Sequence, residues 1–299
     1  MTTFAALGDS ITLGIGDPVT TRRRQRAWRG WAALLAGSLT DPDLHILAAS
    51  GACASQIERE QLPAALRLRP DIASVIFGIN DTLRPGFDPE LIARSAAHTV
   101  GALRAAGAEV LTMRLPDAGR MLRLPGALAR PLARRTQQVN AVLDDVASRF
   151  GTLHFDAAGA PESYDGQMWA VDRLHPNERG HRMIARAFHE LLAAAGHQLG
   201  PPPASEPANR PPTRLAEIGW MATKGTGWVL RRSTDLVPYL LAMAAAEVAR
   251  SALRARVHGQ PVEQLPQPGD LLVRHALAQP LVERGSGGAQ RQEHLVAAL

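Results

Sequence analysis

The chain of 299 residues contains a single cysteine, Cys53. A disulfide needs two, so a disulfide-stapled secreted scaffold and a multi-cysteine metal site are both excluded. Aromatic residues make up only 4%, too few for the stacking platforms that hold single-stranded nucleic acid. Lysine is nearly missing: of 33 basic residues only Lys224 is a lysine. The net charge of +5 therefore reads as arginine-rich coding rather than a phosphate-binding face. No helix-turn-helix, finger or ribonucleoprotein motif accompanies it, and nucleic acid is not the expected partner. The N-terminus, MTTFAALGDS, lacks a basic stretch followed by a long apolar one and a small-residue cleavage site. No signal peptide is read there, and a cytoplasmic location is expected. The apolar run Leu236–Ala246 is shorter than the roughly 20 residues that a membrane-spanning helix requires.

Apolar residues at 45% and charged residues at 20% are ordinary for a globular protein in water. The length suits one compact domain with an appendage. From Phe4 to about His197, short apolar runs alternate with longer amphipathic stretches, the pattern of strand and helix units on a parallel sheet. The expected strands are Phe4–Leu7, Leu44–Leu47, Ile72–Phe77, Val110–Met113 and Leu153–Phe155. The expected helices are Trp28–Leu39, Ser55–Leu68, Pro89–Ala106, Pro131–Phe150 and Pro176–Ala195. Together they make an α/β fold, a three-layer α/β/α sandwich on a five-stranded parallel sheet. Loops beginning at Gly8, Ala48, Gly78, Arg114 and Asp156 then share the carboxyl edge of the sheet, where ligands bind in such folds. The expected main domain is 1–199. The proline-rich segment 200–212 reads as a semi-rigid linker. A helical extension, 213–299, follows, with a poorly ordered tail from Arg284. Its bland reading is a helical hairpin packed on the domain or on a second subunit; a membrane-surface helix is the alternative.

Four short blocks fall at the strand ends. Ser10, in ALGDSIT, follows the first strand; alone, a serine there reads as a turn or cap residue. Gly51, in AASGACAS, follows the second and suits either a positive-φ turn or close approach of a backbone N–H to a ligand. Asn80, in GIND, follows the third, as a turn former or an amide donor for an oxyanion. Asp172, in DRLHP, sits three residues before His175, close enough to fold its carboxylate onto Nδ1, though such a pair alone also suits a cap beside a surface histidine. Serine, histidine with a carboxylate, and two candidate oxyanion donors on one edge form a constellation for acyl transfer.

The order and spelling of these blocks resemble the SGNH (GDSL-type) hydrolase family over about Phe4–His197. That resemblance implies a flavodoxin-like fold, Ser10 as nucleophile, His175 as general base and acid, and Asp172 as its orienting partner. It also implies an oxyanion hole made of the backbone N–H of Ser10 and of Gly51 with the Asn80 side-chain amide. The implied activity is hydrolysis of a small or medium acyl ester through an acyl-enzyme, with no cofactor. An acyltransferase using the same intermediate, or a non-catalytic binding protein on the same fold, are the alternatives; a lipase held to a membrane through Leu236–Ala246 is a third. The chain has no Gly-x-Ser-x-Gly elbow. His175, Glu178 and His181 do not match the His-Glu-x-x-His zinc helix, so no metal is expected.

The remaining features have plainer readings. Arg22, Arg23, Arg24 and Arg26 read as a solvated loop rather than an anion site. Trp28 and Trp31 read as sharing a buried helical face. Asp81 reads as capping a helix or orienting the Asn80 loop. Cys53 has no base assigned to it. The partner expected is a small acyl ester, and no oligomeric state is assigned.

Overall fold

The computed structural model describes residues 1–20, 26–170 and 172–208, with three further helical positions, Ala242, Ala245 and Ala249. Apart from those three, the expected extension 213–299 lies outside the described residues. The chain divides into two units, Met1–Ser251 and Ala252–Leu299, and every described residue belongs to the first.

The central sheet contains β1 (Thr2–Gly8), β4 (Pro42–Ile46), β5 (Ile72–Ile76), β6 (Glu109–Arg114) and β7 (Leu153–Asp156). Their order is β4-β1-β5-β6-β7, and every pairing is parallel. A small antiparallel hairpin, β2 (Pro18–Thr20) with β3 (Arg26–Trp28), projects from the loop after β1. The inner strands are buried on both faces, as parallel strands covered by crossover helices must be. Their side chains alternate between two cores. Phe4, Ala6, Ile72, Ile76, Leu111 and Met113 pack with α1 (Gly30–Ala36) and α8 (Glu178–Ala194). There the Trp31 and Phe188 rings lie 5.0 Å apart. Ala5, Leu7, Ala73, Val75, Phe77 and Val110 face the opposite layer. That layer holds the helical run α2 (Ala54–Gln56) to α3 (Leu62–Leu68), α5 (Pro89–Ala105) and α7 (Gly126–Phe150).

The five strands fall where the apolar runs place them, and the order is that of a doubly wound sheet. The chain leaves β1 toward α1 and leaves β5 toward the opposite layer, by way of the short α4 (Ile79–Leu83). A crevice therefore opens between these adjacent strands at their carboxyl ends.

Three expectations are corrected. Trp28 is not helical: it ends β3 and is 46% exposed, whereas Trp31 is fully buried. The cause is Asp17, whose main-chain carbonyl accepts from Arg29 N and whose carboxylate takes the Gly30 N–H, so α1 begins only at Gly30. Second, α7, which follows the short α6 (Ala118–Met121), begins at Gly126 rather than Pro131. Leu128 and Ala129 N–H already bond to Pro125 O; the helix gives up one internal bond at Pro131 but buries its ring. Third, the helix after Gly51 is not uniform but passes through a π turn at Ile57–Gln61. That widening brings Gln61 to β1: Gly8 N donates to Gln61 Oε1 at 2.8 Å, and Gln61 Nε2 donates to Gly8 O at 2.9 Å.

Candidate active site

The residue after Gly8, Asp9, is 1% exposed and turns the chain at the end of β1. Its Oδ1 accepts from Ile11 N at 2.9 Å, and its carbonyl accepts from Leu13 N at 3.0 Å. That tight turn presents Ser10 at the crevice. From more than 150 residues later in the chain comes the loop 169–176. It is closed by the Trp169–Pro176 bridge and by Ala170 N bonding to His175 O at 2.8 Å. Arg173 adopts a left-handed φ of 53°, a conformation that non-glycine residues take only under local constraint. It folds the loop so that Asp172 Oδ1 accepts from Leu174 N and His175 N at 2.9 and 3.1 Å. The other carboxylate oxygen, Oδ2, lies 2.7 Å from His175 Nδ1. Asn177 then caps α8, accepting from Arg179 N and Gly180 N, so His175 is fixed just ahead of a helix start.

Ser10 Oγ lies 2.9 Å from His175 Nε2, across 165 residues of sequence. With a carboxylate on Nδ1, that nitrogen carries the proton, and Nε2 accepts from the Ser10 hydroxyl. Burial raises the Asp172 carboxyl. The hydrogen bond from His175, the charge of that ring and the two backbone N–H groups outweigh burial and hold it below the usual carboxylate range.

The expected oxyanion donors stand in different states. Neither Ser10 N–H nor Gly51 N–H has a partner among the described residues. Gly51 sits at φ +80°, and its carbonyl accepts from Arg84 Nη2 at 2.6 Å. The Asn80 amide is already engaged: Nδ2 donates to Asp9 Oδ2 at 3.1 Å and to Ala52 O at 3.2 Å. Gly78 makes this turn possible. At φ +115°, a Cβ would lie 2.6 Å from Val139 Cγ1 and 2.7 Å from Leu115 Cδ1. Asp81 orients the loop, its carboxylate accepting from Ala54 N at 3.2 Å.

Asp9, Gln61 and Arg84 are contributors to this site that motif reading passes over. Asp9 is visible in the sequence only as a neighbour of Ser10, and Gln61 and Arg84 leave no local signal. Burial raises the Asp9 carboxyl to about 6, against the Ile11 N–H and the His175 charge, which lower it. Burial and the Asp81 carboxylate push the Cys53 thiol up to about 11, so it stays protonated and is a poor nucleophile. Arg22, Arg23 and Arg24 lie outside the described residues. His181 is fully buried, with Nε2 3.0 Å from Ile15 O and Nδ1 accepting from Trp31 N at 3.2 Å. Burial drives its pKa down to about 4, so it is neutral.

Beside these residues lies an apolar cavity of about 30 Å³. Its lining includes Ile11, Ile79 and Leu174, the sequence neighbours of Ser10, Asn80 and His175, together with Met121, Met168 and Met183.

Residues 6–183, which contain all five expected site residues, match the model of the GDSL-like lipase/acylhydrolase family. No curated protein matches. Among solved structures, the chain is similar to LAE5, an α/β-hydrolase enzyme from the metagenome of Lake Arreo, Spain. That likeness has 25% identity and a TM-score of 0.51, covering 66% of this chain and 96% of the other. It is also similar in fold to an acetylxylan esterase from Geobacillus stearothermophilus. There the identity is 18% and the TM-score 0.50, covering 64% of this chain and 94% of the other. With the family model spanning more than half its length, the chain belongs to the GDSL-like lipase/acylhydrolase family and is an SGNH-type serine ester hydrolase.

Proposed function

We propose that this enzyme hydrolyses a small or medium acyl ester by way of an acyl-enzyme on Ser10. The observation that carries the reading is the continuous relay Ser10 Oγ, His175 Nε2, His175 Nδ1, Asp172 Oδ2, with links of 2.9 and 2.7 Å. His175 takes the hydroxyl proton as Oγ attacks the ester carbonyl, and Asp172 stabilises the imidazolium that forms. The oxyanion is met by the free N–H groups of Ser10 and Gly51. Asn80 supplies a third donor by giving up its long bond to Ala52 O. Each such donor is worth about 3 to 4 kcal/mol in the transition state. His175 then returns the proton to the leaving alcohol and activates the water that cleaves the acyl-enzyme. The apolar pocket supports an aliphatic acyl group, and its methionines suit chains of varied shape, because thioether side chains repack easily.

Intact-protein mass spectrometry after a fluorophosphonate probe tests the reading. Wild type is expected to gain one adduct on Ser10, and Ser10→Ala and His175→Ala none. A folded wild type that takes no adduct overturns it. A chain-length series of p-nitrophenyl esters, run with and without added alcohol, measures acyl size and separates hydrolysis from transfer to an alcohol.

A further inference from the structure

After α8 the chain turns back along it. Gly200 N donates to Ser38 O at 2.7 Å, and Ser38 Oγ donates to Pro201 O at 2.9 Å, which anchors the segment beside the end of α1. Gly200 O then accepts from His189 Nε2 at 2.9 Å, Pro203 O from Arg186 Nη1 at 2.9 Å and Ala204 O from Arg182 Nη1 at 3.0 Å. Last, Ala208 N donates to Glu178 Oε1 at 2.7 Å. Partner numbers on α8 fall as the segment's numbers rise, so it runs antiparallel to the helix and ends on its first residue. Prolines favour this: they are pre-extended, lose little entropy on docking and leave their carbonyls to accept from side chains. Pro203 is buried in the process. The family model ends at residue 183, so this segment is a feature of the chain outside the matched pattern.

Its end point is a junction. Glu178 Oε1 also accepts from Arg182 Nη2 at 2.9 Å and from Arg29 Nη2 at 2.7 Å. Arg29 in turn holds the fully buried Asp17, Nε to Oδ2 at 2.9 Å and Nη2 to Oδ1 at 3.1 Å. Asp17 terminates the loop that begins at Ser10, its N–H on Gly14 O. The neighbouring bridge from His181 to Ile15 O joins the same two pieces. The first turn of α8, preceded directly by His175, Pro176 and Asn177, is therefore buckled to the nucleophile loop at Glu178 and at His181.

We propose that Gly200–Ala208 is a positioning strap of the catalytic unit: through the Ala208 N–H on Glu178 it holds the start of α8, and so His175, in register with the Ser10 loop. The proposal rests on the reading of those two residues as nucleophile and base.

The test uses the full-length chain. Ala208→Pro removes the N–H donor, Ala208→Gly keeps it, and Arg186→Met releases the strap at Pro203. The readouts are the rate of fluorophosphonate labelling, kcat and KM on a p-nitrophenyl ester, and the melting temperature. Ala208→Pro is expected to slow labelling and kcat by about three- to tenfold, the scale of one lost charge-assisted hydrogen bond partly relayed. KM should be unchanged, and Ala208→Gly should hold the wild-type rate. Arg186→Met should show the same sign with a smaller effect, and it decides the matter if the proline variant does not fold. Wild-type labelling and kcat in both Ala208→Pro and Arg186→Met overturn the strap. So does an effect confined to KM or to melting. A wild type that takes no label overturns the catalytic reading itself, which is a separate outcome.

Discussion

Replacing Asp172 with asparagine separates a catalytic carboxylate from a turn-forming one. In the native loop Oδ1 accepts two backbone N–H groups, from Leu174 and His175, and Oδ2 faces His175 Nδ1 at 2.7 Å. The two backbone donors select the oxygen of the substituted amide, so its NH₂ must turn toward the ring. Nδ1 then becomes an acceptor, the proton moves to Nε2, and Nε2 donates to Ser10 Oγ instead of accepting from it. The base is lost while the shape is kept. Wrong-tautomer substitution of this kind costs about 10⁴ in kcat, or about 5.5 kcal/mol of barrier. The assay is single-turnover acylation with a p-nitrophenyl ester beside the fluorophosphonate labelling rate, with melting as the control. If Asp172 only shaped the turn, asparagine would serve as well, because it accepts the same two backbone bonds. A folded Asp172→Asn enzyme within tenfold of wild type therefore refutes the reasoning.

Four further predictions concern buried groups and the apolar pocket. Between about pH 4 and 6 the folded state keeps a proton on Asp9 that the unfolded chain has released, so Asp9 destabilises the fold progressively as pH rises through that window, by up to about 3 kcal/mol. Calorimetry from pH 4.5 to 7.5 should show wild type gaining on Asp9→Asn as pH falls. His181 acts in the opposite sense: held neutral with a pKa near 4, it costs stability as pH falls from about 6.5 toward 4, a loss that His181→Gln should lack. Gln61→Leu strands the buried N–H of Gly8 and leaves its C=O with Ala49 N alone, and should lower unfolding free energy by about 1 to 3 kcal/mol in urea titrations. Met121→Trp fills the apolar pocket, and the ratio of octanoyl to acetyl ester kcat/KM should fall by roughly tenfold or more.

The parts of this protein that were legible in the sequence are those whose physics is local. A buried parallel strand needs only a short apolar run, and all five are visible as such. Asp172 and His175 pair across three residues, so a single turn brings them together. Trp28 marks the limit of local periodicity: its spacing from Trp31 is helical, yet Asp17 takes the Arg29 and Gly30 N–H groups and delays the helix.

The sequence by itself determined the strands, the order of the blocks and the carboxylate–imidazole half of the relay. Only the tertiary structure decided that Ser10 meets His175 across 165 residues, because strand order and crossover direction belong to no single segment. It also decided that Gln61 clamps Gly8, that Asp9 competes for the Asn80 amide, and that residues 200–208 bind along α8. Each of these depends on which groups are taken out of water together, and burial is a property of the folded chain as a whole.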